Sequence, residues 1–199
     1  MAIIIDKEKK RREIAFSSRE LLLELGIRNI TISEISKAAG VGKGTIYEYF
    51  SGKEDIVFEI ISVVMDEHKS KIKEIAQSTL HIKEKIRAFL ISPFISKDSQ
   101  KELKIYREFI AISLTSNIES MNEFIKECRT QIAQMLKDML AEHVQKGDIL
   151  KESLEFSECI LFFIKGLIVE ENILNIDAKE QIDIFVDNWF GIISKERKC

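Results

Sequence analysis

Apolar residues recur along this chain in runs of helical period, and the Thr/Val alternation with Asn-Gly or Pro-Gly turns that marks hairpins is almost absent. An all-α fold follows. Helix starts are legible as Ser, Thr or Asp followed three residues later by Glu. In that pattern the first side chain accepts an amide N–H and the Glu reaches back to the cap. It occurs at Thr31 and Glu34, Ser51 and Glu54, Ser99 and Glu102, Ser116 and Glu119, and Asp177 and Glu180, each ahead of an apolar periodic run. With Gly26, Gly40, Pro93 and Gly147-Asp148 as stops, these starts predict about nine helices. They cover residues 7–25, 32–39, 43–50, a stretch from after Ser51 to Lys73 or beyond, then 82–91, 100–114, 117–145, 153–174 and 178–195.

The last two helices differ from the rest. Residues 159–169 are apolar on nearly every side, interrupted by Lys165, and Ile182, Ile184, Phe185, Val186, Trp189, Phe190, Ile192 and Ile193 repeat the pattern. A helix that is apolar all round must be buried all round. Packing one face on the subunit and the other on a second copy achieves this, giving a four-helix bundle and a homodimer through the last two helices. A helix central to one subunit is the alternative.

Residues 31–53 carry the most chemistry: two short helices around a turn at Gly40, followed by the start of a third. Thr31 caps the first of these helices, and a capped N-terminus with free amides also suits phosphate. Ile32, Ile35 and Ala39 give that helix an inward face, as Ile46 and Phe50 do for the next. Lys43, Gly44, Thr45, Tyr47 and Tyr49 then lie on or near the exposed start and side of the second short helix. Lys reaches a guanine edge or a phosphate, Thr a base or a thymine methyl, and Tyr hydroxyls suit phosphates. Gly44 lets backbone approach the bases, and Lys53 sits in the first turn of the following helix, where its charge and the amides could hold another phosphate. Thr31, Lys43, Gly44, Thr45, Tyr47, Tyr49 and Lys53 are therefore the candidate DNA contacts. The stretch Gly40-Val41-Gly42-Lys43-Gly44-Thr45 is no nucleotide loop: Ser or Thr does not follow Gly-Lys, and a helix rather than a strand precedes it.

Thr31-Ile32-Ser33-Glu34-Ile35, Ala38-Ala39-Gly40-Val41, Lys43-Gly44-Thr45-Ile46-Tyr47, Tyr49-Phe50 and Lys53-Glu54 together resemble the DNA-binding domain of the TetR family of bacterial regulators. The resemblance implies a homodimer with two helix-turn-helix heads on double-stranded operator DNA. It also implies a helical ligand-binding body and repression relieved by a small molecule. On this basis residues 1–55 form the DNA-binding domain and residues 56–199 the ligand-binding and dimerisation domain. A DNA-binding protein whose body is a protein-interaction platform without a small ligand is the alternative. Two departures stand out. Gly42 occupies a position often held by Ser, removing a capping hydroxyl. Glu48 lies in the reading helix, where it either accepts from a cytosine amino group or points sideways to Lys or Arg.

Composition and charge fit this picture. The 199 residues, 45% hydrophobic and 32% charged, suffice for one domain or two small ones with a sizeable core. The net charge is −3, but residues 1–56 hold ten Lys and Arg against nine Asp and Glu, so the acid lies mostly elsewhere. Lys9-Lys10-Arg11-Arg12 places four positive charges at the entrance to the first helix. Cys128, Cys159 and Cys199 have no paired spacing, which argues against a disulfide scaffold or zinc site and for a reducing cytoplasm. The apolar run from Ala2 to Ile5 is too short for a signal peptide, and no stretch approaches the ~20 residues that span a bilayer. A cytoplasmic protein without a membrane partner is expected.

Residues 56–199 hold no catalytic constellation. His68, His81 and His143 are far apart and are expected at the surface, and neither an enzyme nor a cofactor is expected. The body is rich in Phe, and Tyr106, Phe109, Ile110, Met121, Phe124, Cys128, Phe163 and Trp189 are the candidates for lining a pocket for an apolar or amphipathic effector.

Overall fold

The computed structural model describes residues 6–95, 97–116 and 118–194. Among them are nine α-helices and no β-strand, with one isolated bridge between Ile149 and Ser194. The helices are α1 (Lys7–Leu25), α2 (Ile32–Ala38), α3 (Lys43–Tyr49), α4 (Lys53–Gln77), α5 (Ile82–Ile91), α6 (Lys97–Ser116), α7 (Glu119–Lys146), α8 (Phe156–Leu174) and α9 (Ala178–Ile193). Short 3-10 turns lie at Ser92–Phe94 and Lys151–Glu155. Pro93, with no N–H to give, stands in the first of these, where α5 ends. The expected ends at Asn117 and Lys195 fall outside the described residues.

The caps explain where helices start. Asp6 accepts from the amides of Glu8 and Lys9, opening α1. Thr31 and Glu34 form the complete reciprocal box at α2, and Asp177 accepts from the amides of Lys179 and Glu180 at α9. Three expected boxes are corrected. Ser51 gives its amide and hydroxyl to Asp55 rather than pairing with Glu54. Ser99 is buried inside α6, which starts at Lys97, and Glu102 turns to other partners. Ser116 ends α6 instead of opening α7. A Ser with a Glu three residues on also arises inside a helix, where the same spacing has no capping role.

Compactness divides the chain into residues 1–68 with 101–124, and residues 69–100 with 125–199. In the first unit α1, α2 and α3 pack on one another. Their buried side chains are Ile14, Ala15, Leu22 and Leu23 of α1, Ile35 of α2 and Ile46 of α3, with Ile56, Val57 and Ile60 contributed by α4. In the second unit α5 packs along α9. Ile82, Ile86, Phe89 and Leu90 of α5 and Ile182, Val186, Trp189 and Phe190 of α9 are buried. Arg87 of α5 borders that seam, with Nε 2.9 Å from Asp183 and Nη2 2.8 Å from Asp187, residues one turn apart on α9.

The surface expectation fails for His143. Only 5% exposed, it stands in the last turn of α7 with Nδ1 2.7 Å from Asp148 Oδ2, just past the Gly147 turn, and the imidazole holds the Asp148 carboxyl below its ordinary range. Sequence spacing hid this because the partner lies across a turn rather than one helical turn away. No helix among the described residues is long and apolar enough to cross a membrane.

The α5–α9 seam draws its stability from burial more than from its ion pairs. Ile86→Ala is expected to cost about 2–5 kcal/mol by urea unfolding, whereas Arg87→Met costs about 1 kcal/mol or less because its partners are half in water.

Candidate nucleic-acid interface

Seven residues make barely two turns, so α3 is held by what surrounds it rather than by its own hydrogen bonds. Ile46 is its one buried residue, and Phe50, immediately after the helix, is buried too. The opposite side carries the candidate contacts. Tyr47 is 60% exposed, Lys43 and Gly44 are exposed, and Thr45 and Tyr49 are half-buried. The expected contacts on α3 thus share one short helix, and Gly44 would meet nothing within 4 Å if it carried a Cβ, leaving open space above the backbone. Gly42 opens α3 without a side-chain cap, as its lack of a hydroxyl requires.

Two expected contacts have local duties. Thr31 is exposed, but its hydroxyl donates to Glu34 at 2.7 Å and accepts the Glu34 amide at 3.3 Å. Lys53 donates from Nζ to the Arg28 carbonyl at 2.9 Å, tying the start of α4 to the turn between α1 and α2. Glu48 is exposed and makes no ion pair among the described residues.

The basic run at the start of α1 is not a uniform positive surface. Arg11 turns inward, reaching Asp55, Glu59 and the Tyr49 carbonyl, and Arg12, though exposed, is paired, with Nη2 2.6 Å from Asp66. Lys10 pairs with Glu13. The guanidinium of Arg11 holds the Asp55 carboxyl below its ordinary range through their hydrogen bonds, against a smaller opposing effect of burial, and the carboxylates raise Arg11 in return.

Helix α6 fastens the turn after α1. Gly26 adopts φ 83° and ψ 166°, a conformation reserved for glycine, and exposes the next amides. Glu108 of α6 accepts both, from Ile27 at 2.9 Å and Arg28 at 3.1 Å. One turn and a half earlier on α6, Glu102 pairs with Arg19 of α1 and with His68 of α4, the latter at 3.0 Å. Sequence reasoning missed Arg11, Glu102 and Glu108. All three are charged residues in a charge-rich chain, and only the tertiary fold shows which ones face inward.

The eight pocket candidates separate. Tyr106, Phe109, Ile110, Met121 and Phe124 lie in the first compact unit, and Cys128, Phe163 and Trp189 in the second. Phe109 and Phe124 meet Phe58 of α4 in a three-ring cluster with centroids 5.9 to 6.1 Å apart. Phe163 stacks on Phe185 at 4.1 Å, and Phe185 on Trp189 at 6.1 Å. Neither Phe58 nor Phe185 was foreseen as a pocket residue. A groove of about 960 Å³ in the second unit, walled by Lys73, Leu80, His81, Lys85, Met139 and His143 among others, is lined by none of the eight.

The face expected to meet a second copy keeps large apolar side chains in water. Phe162 is 64% and Ile173 73% exposed on α8, and Ile192 is 73% exposed on α9, while Ile160, Ile164, Ile182 and Val186 on the same helices are buried. Lys165, which breaks the apolar stretch of α8, is half-buried, and burial lowers its ammonium below its ordinary range.

Residues 17–60 match the family described as bacterial regulatory proteins, tetR family. A fatty acid metabolism regulator protein of Bacillus subtilis is 28% identical over 149 residues, 75% of each chain. An HTH-type transcriptional repressor of Rhodococcus jostii is 27% identical over 71% of this chain and 68% of its own. The crystal structure of a regulator of Bacillus subtilis in complex with stearoyl-CoA superposes with a TM-score of 0.62 at 23% identity, over 88% of this chain and 95% of that one, and so shares the fold.

The Asp55 arrangement has a pH signature. A carboxyl depressed in the folded state contributes stability that is fully present above its unfolded value, about 3.9, and is lost as pH falls through the folded value. Acid unfolding followed by circular dichroism is expected to begin below about pH 4. Asp55→Asn is expected to lower stability at neutral pH while flattening that acid limb.

Proposed function

Since the chain belongs to the tetR family of bacterial regulatory proteins and is a transcriptional regulator, we propose that it is a homodimeric repressor released from a palindromic operator by a small apolar or amphipathic effector. The observation that carries this reading is α3 itself, with Ile46 buried, Tyr47 60% exposed, and Lys43 and Gly44 open beside it. Residues 1–55 are the reading head, and Thr31, Lys43, Gly44, Thr45, Tyr47, Tyr49 and Lys53 are its DNA contacts. Lys53 reaches phosphate by exchanging the Arg28 carbonyl for it. Glu48 accepts from a cytosine amino group on this reading. The exposed Phe162, Ile173 and Ile192 of α8 and α9 meet their copies in a second protomer. That dimer sets the two α3 helices in successive major grooves, roughly 34–36 Å apart.

Residues 56–199 bind the effector and form the dimer. The relative from Bacillus subtilis is a fatty acid metabolism regulator, and a structure of the same fold holds stearoyl-CoA. A long-chain acyl thioester is therefore the first effector to test, with Tyr106, Phe109, Ile110, Met121, Phe124, Cys128, Phe163 and Trp189 as candidate contacts. Tyr106, Phe109 and Ile110 lie on α6, the helix whose Glu102 and Glu108 hold α1 and the turn after it. An effector that shifts α6 acts on the head through those carboxylates. Effector and DNA affinities are then coupled reciprocally, by a typical ~1–3 kcal/mol.

Two measurements test the reading. Tyr47→Ala and Lys43→Ala are each expected to abolish retardation of operator DNA while the dimer persists in sedimentation; unchanged retardation by both removes α3 as the reader. Stearoyl-CoA at a hundredfold over its dissociation constant is expected to raise unfolding free energy by about 2.7 kcal/mol and to release the operator. No stabilisation by any apolar compound assigns the body to protein interaction instead.

A further inference from the structure

Arg11 lies six residues ahead of the segment that matches the family, and nothing in its neighbourhood in sequence marks it out from Lys9, Lys10 or Arg12. Its surroundings do. A guanidinium offers five N–H donors in a planar fork, and five hydrogen bonds meet this one. Nε donates to Glu59 at 3.2 Å, Nη1 to the Tyr49 carbonyl at 2.5 Å and to Asp55 at 3.3 Å, and Nη2 to Asp55 at 2.7 Å and Glu59 at 3.1 Å. The same group lies over the Phe50 ring, 4.4 Å from its centroid.

Each partner has a place in the reading head. Tyr49 is the last residue of α3, and its carbonyl is one of the acceptors a helix end leaves without an internal donor. Phe50 follows it and is buried. Asp55 stands in the first turn of α4 and also accepts the Ser51 amide at 2.9 Å, so the same carboxylate fixes the link from α3 to α4. Glu59 is one turn further along α4. One side chain of α1 therefore holds the C-terminal end of α3, the connection after it and the first two turns of α4.

We propose that Arg11 is a positioning residue for DNA reading: it fixes the angle at which α3 leaves the head by clamping the Tyr49 carbonyl to Asp55 and Glu59, without touching DNA itself. The inference rests on the reading of α3 as the DNA-contacting helix. Arg11 takes part through geometry rather than charge, because its donors are spent inside the protein. A seven-residue helix with one buried side chain has little else to set its tilt, and a small rotation moves Tyr47 and Lys43 off the base edges. Lys in its place could serve the Tyr49 carbonyl but could not span both carboxylates.

The test uses the full-length protein and a duplex selected by the wild type from a random library. Affinity for this duplex and for unselected DNA is measured across a salt series, with amide hydrogen exchange of α3. Arg11→Met is expected to weaken selected binding about tenfold or more, to leave unselected binding and the salt slope unchanged, and to speed exchange in α3 but not in α5 or α9. Arg11→Lys is expected to fall between the two. Undiminished selectivity in Arg11→Met overturns the proposal. So does a loss equal on both duplexes with a slope smaller by about one ion, which marks a direct phosphate contact. Should Arg11→Met unfold, Asp55→Asn, which keeps the Tyr49 bond, is expected to lose selectivity by about threefold to tenfold, and full selectivity there and in Arg11→Lys overturns it. Tyr47→Ala, with Lys43→Ala beside it, separates the two levels: if both bind as wild type, the reading of α3 falls and this inference with it. If they fail to bind while the Arg11 variants bind normally, only the role of Arg11 is lost.

Discussion

A helix of seven residues has no stability of its own, and on this constraint the reading head depends. Nucleating a helix fixes several residues for the first hydrogen bond, and α2 and α3 end before elongation can repay that cost. Their existence is conditional on burial of Ile35 and Ile46 against the apolar sides of α1 and α4, where Ile14, Leu22, Ile56 and Ile60 are closed to solvent. An exposed face follows from the same fact. A helix with one buried residue in about two turns must present most of the remainder outward, and here the exposed residues are Lys43, Gly44, Tyr47 and Glu48. The exposed surface is what is left when the minimal core of α3 has been satisfied.

Conditional helices need fixed surroundings, and the charged residues supply them. Glu108 takes the two amides that the Gly26 conformation turns outward, Lys53 takes the Arg28 carbonyl from the other side, and Glu102 takes Arg19. A carboxylate accepting two backbone N–H groups is stronger than a surface ion pair and leaves no buried amide unsatisfied. The geometry also makes α6 part of the same compact unit as α1 to α3. Any displacement of α6 has to break or drag these polar bonds.

Periodicity, caps and glycines made the helices readable in the sequence: α1 and α5 stand where their patterns put them, and other ends moved by one to three residues where the last turn frays or a 3-10 turn intervenes. The exposed side of α3 was legible because its residues are adjacent in sequence and lie on one short helix. What the sequence concealed was the direction of long charged side chains. Glu102 looked like a capping partner for Ser99, His143 like a surface residue, and Arg11 and Arg12 like part of a positive arm. Each choice is made by residues 5 to 83 positions away, and no local pattern encodes it. Aromatic clustering was hidden for the same reason: Phe58 joins Phe109 and Phe124 only once α4 lies beside them.

The ion pairing of these arginines also bears on how a chain of net charge −3 can address a polyanion. Ten cations against nine acids in the first 56 residues would give a weak electrostatic footprint even if every one were free. Arg11, Arg12 and Arg19 are committed to Asp55, Glu59, Asp66 and Glu102, and Lys10 to Glu13, so the cations left for phosphate are fewer still. Each internal pair, however, also neutralises an acid that would otherwise repel DNA. Among the described residues, the cations left without an ion pair include Lys7 and Lys9 on α1, Lys37 on α2 and Lys43 on α3, few and scattered rather than gathered into one patch. Such a head gains little from non-specific attraction, so on the proposed reading discrimination rests on close-range contacts of Thr45, Tyr47 and Gly44, and the orientation of α3 governs whether they are made.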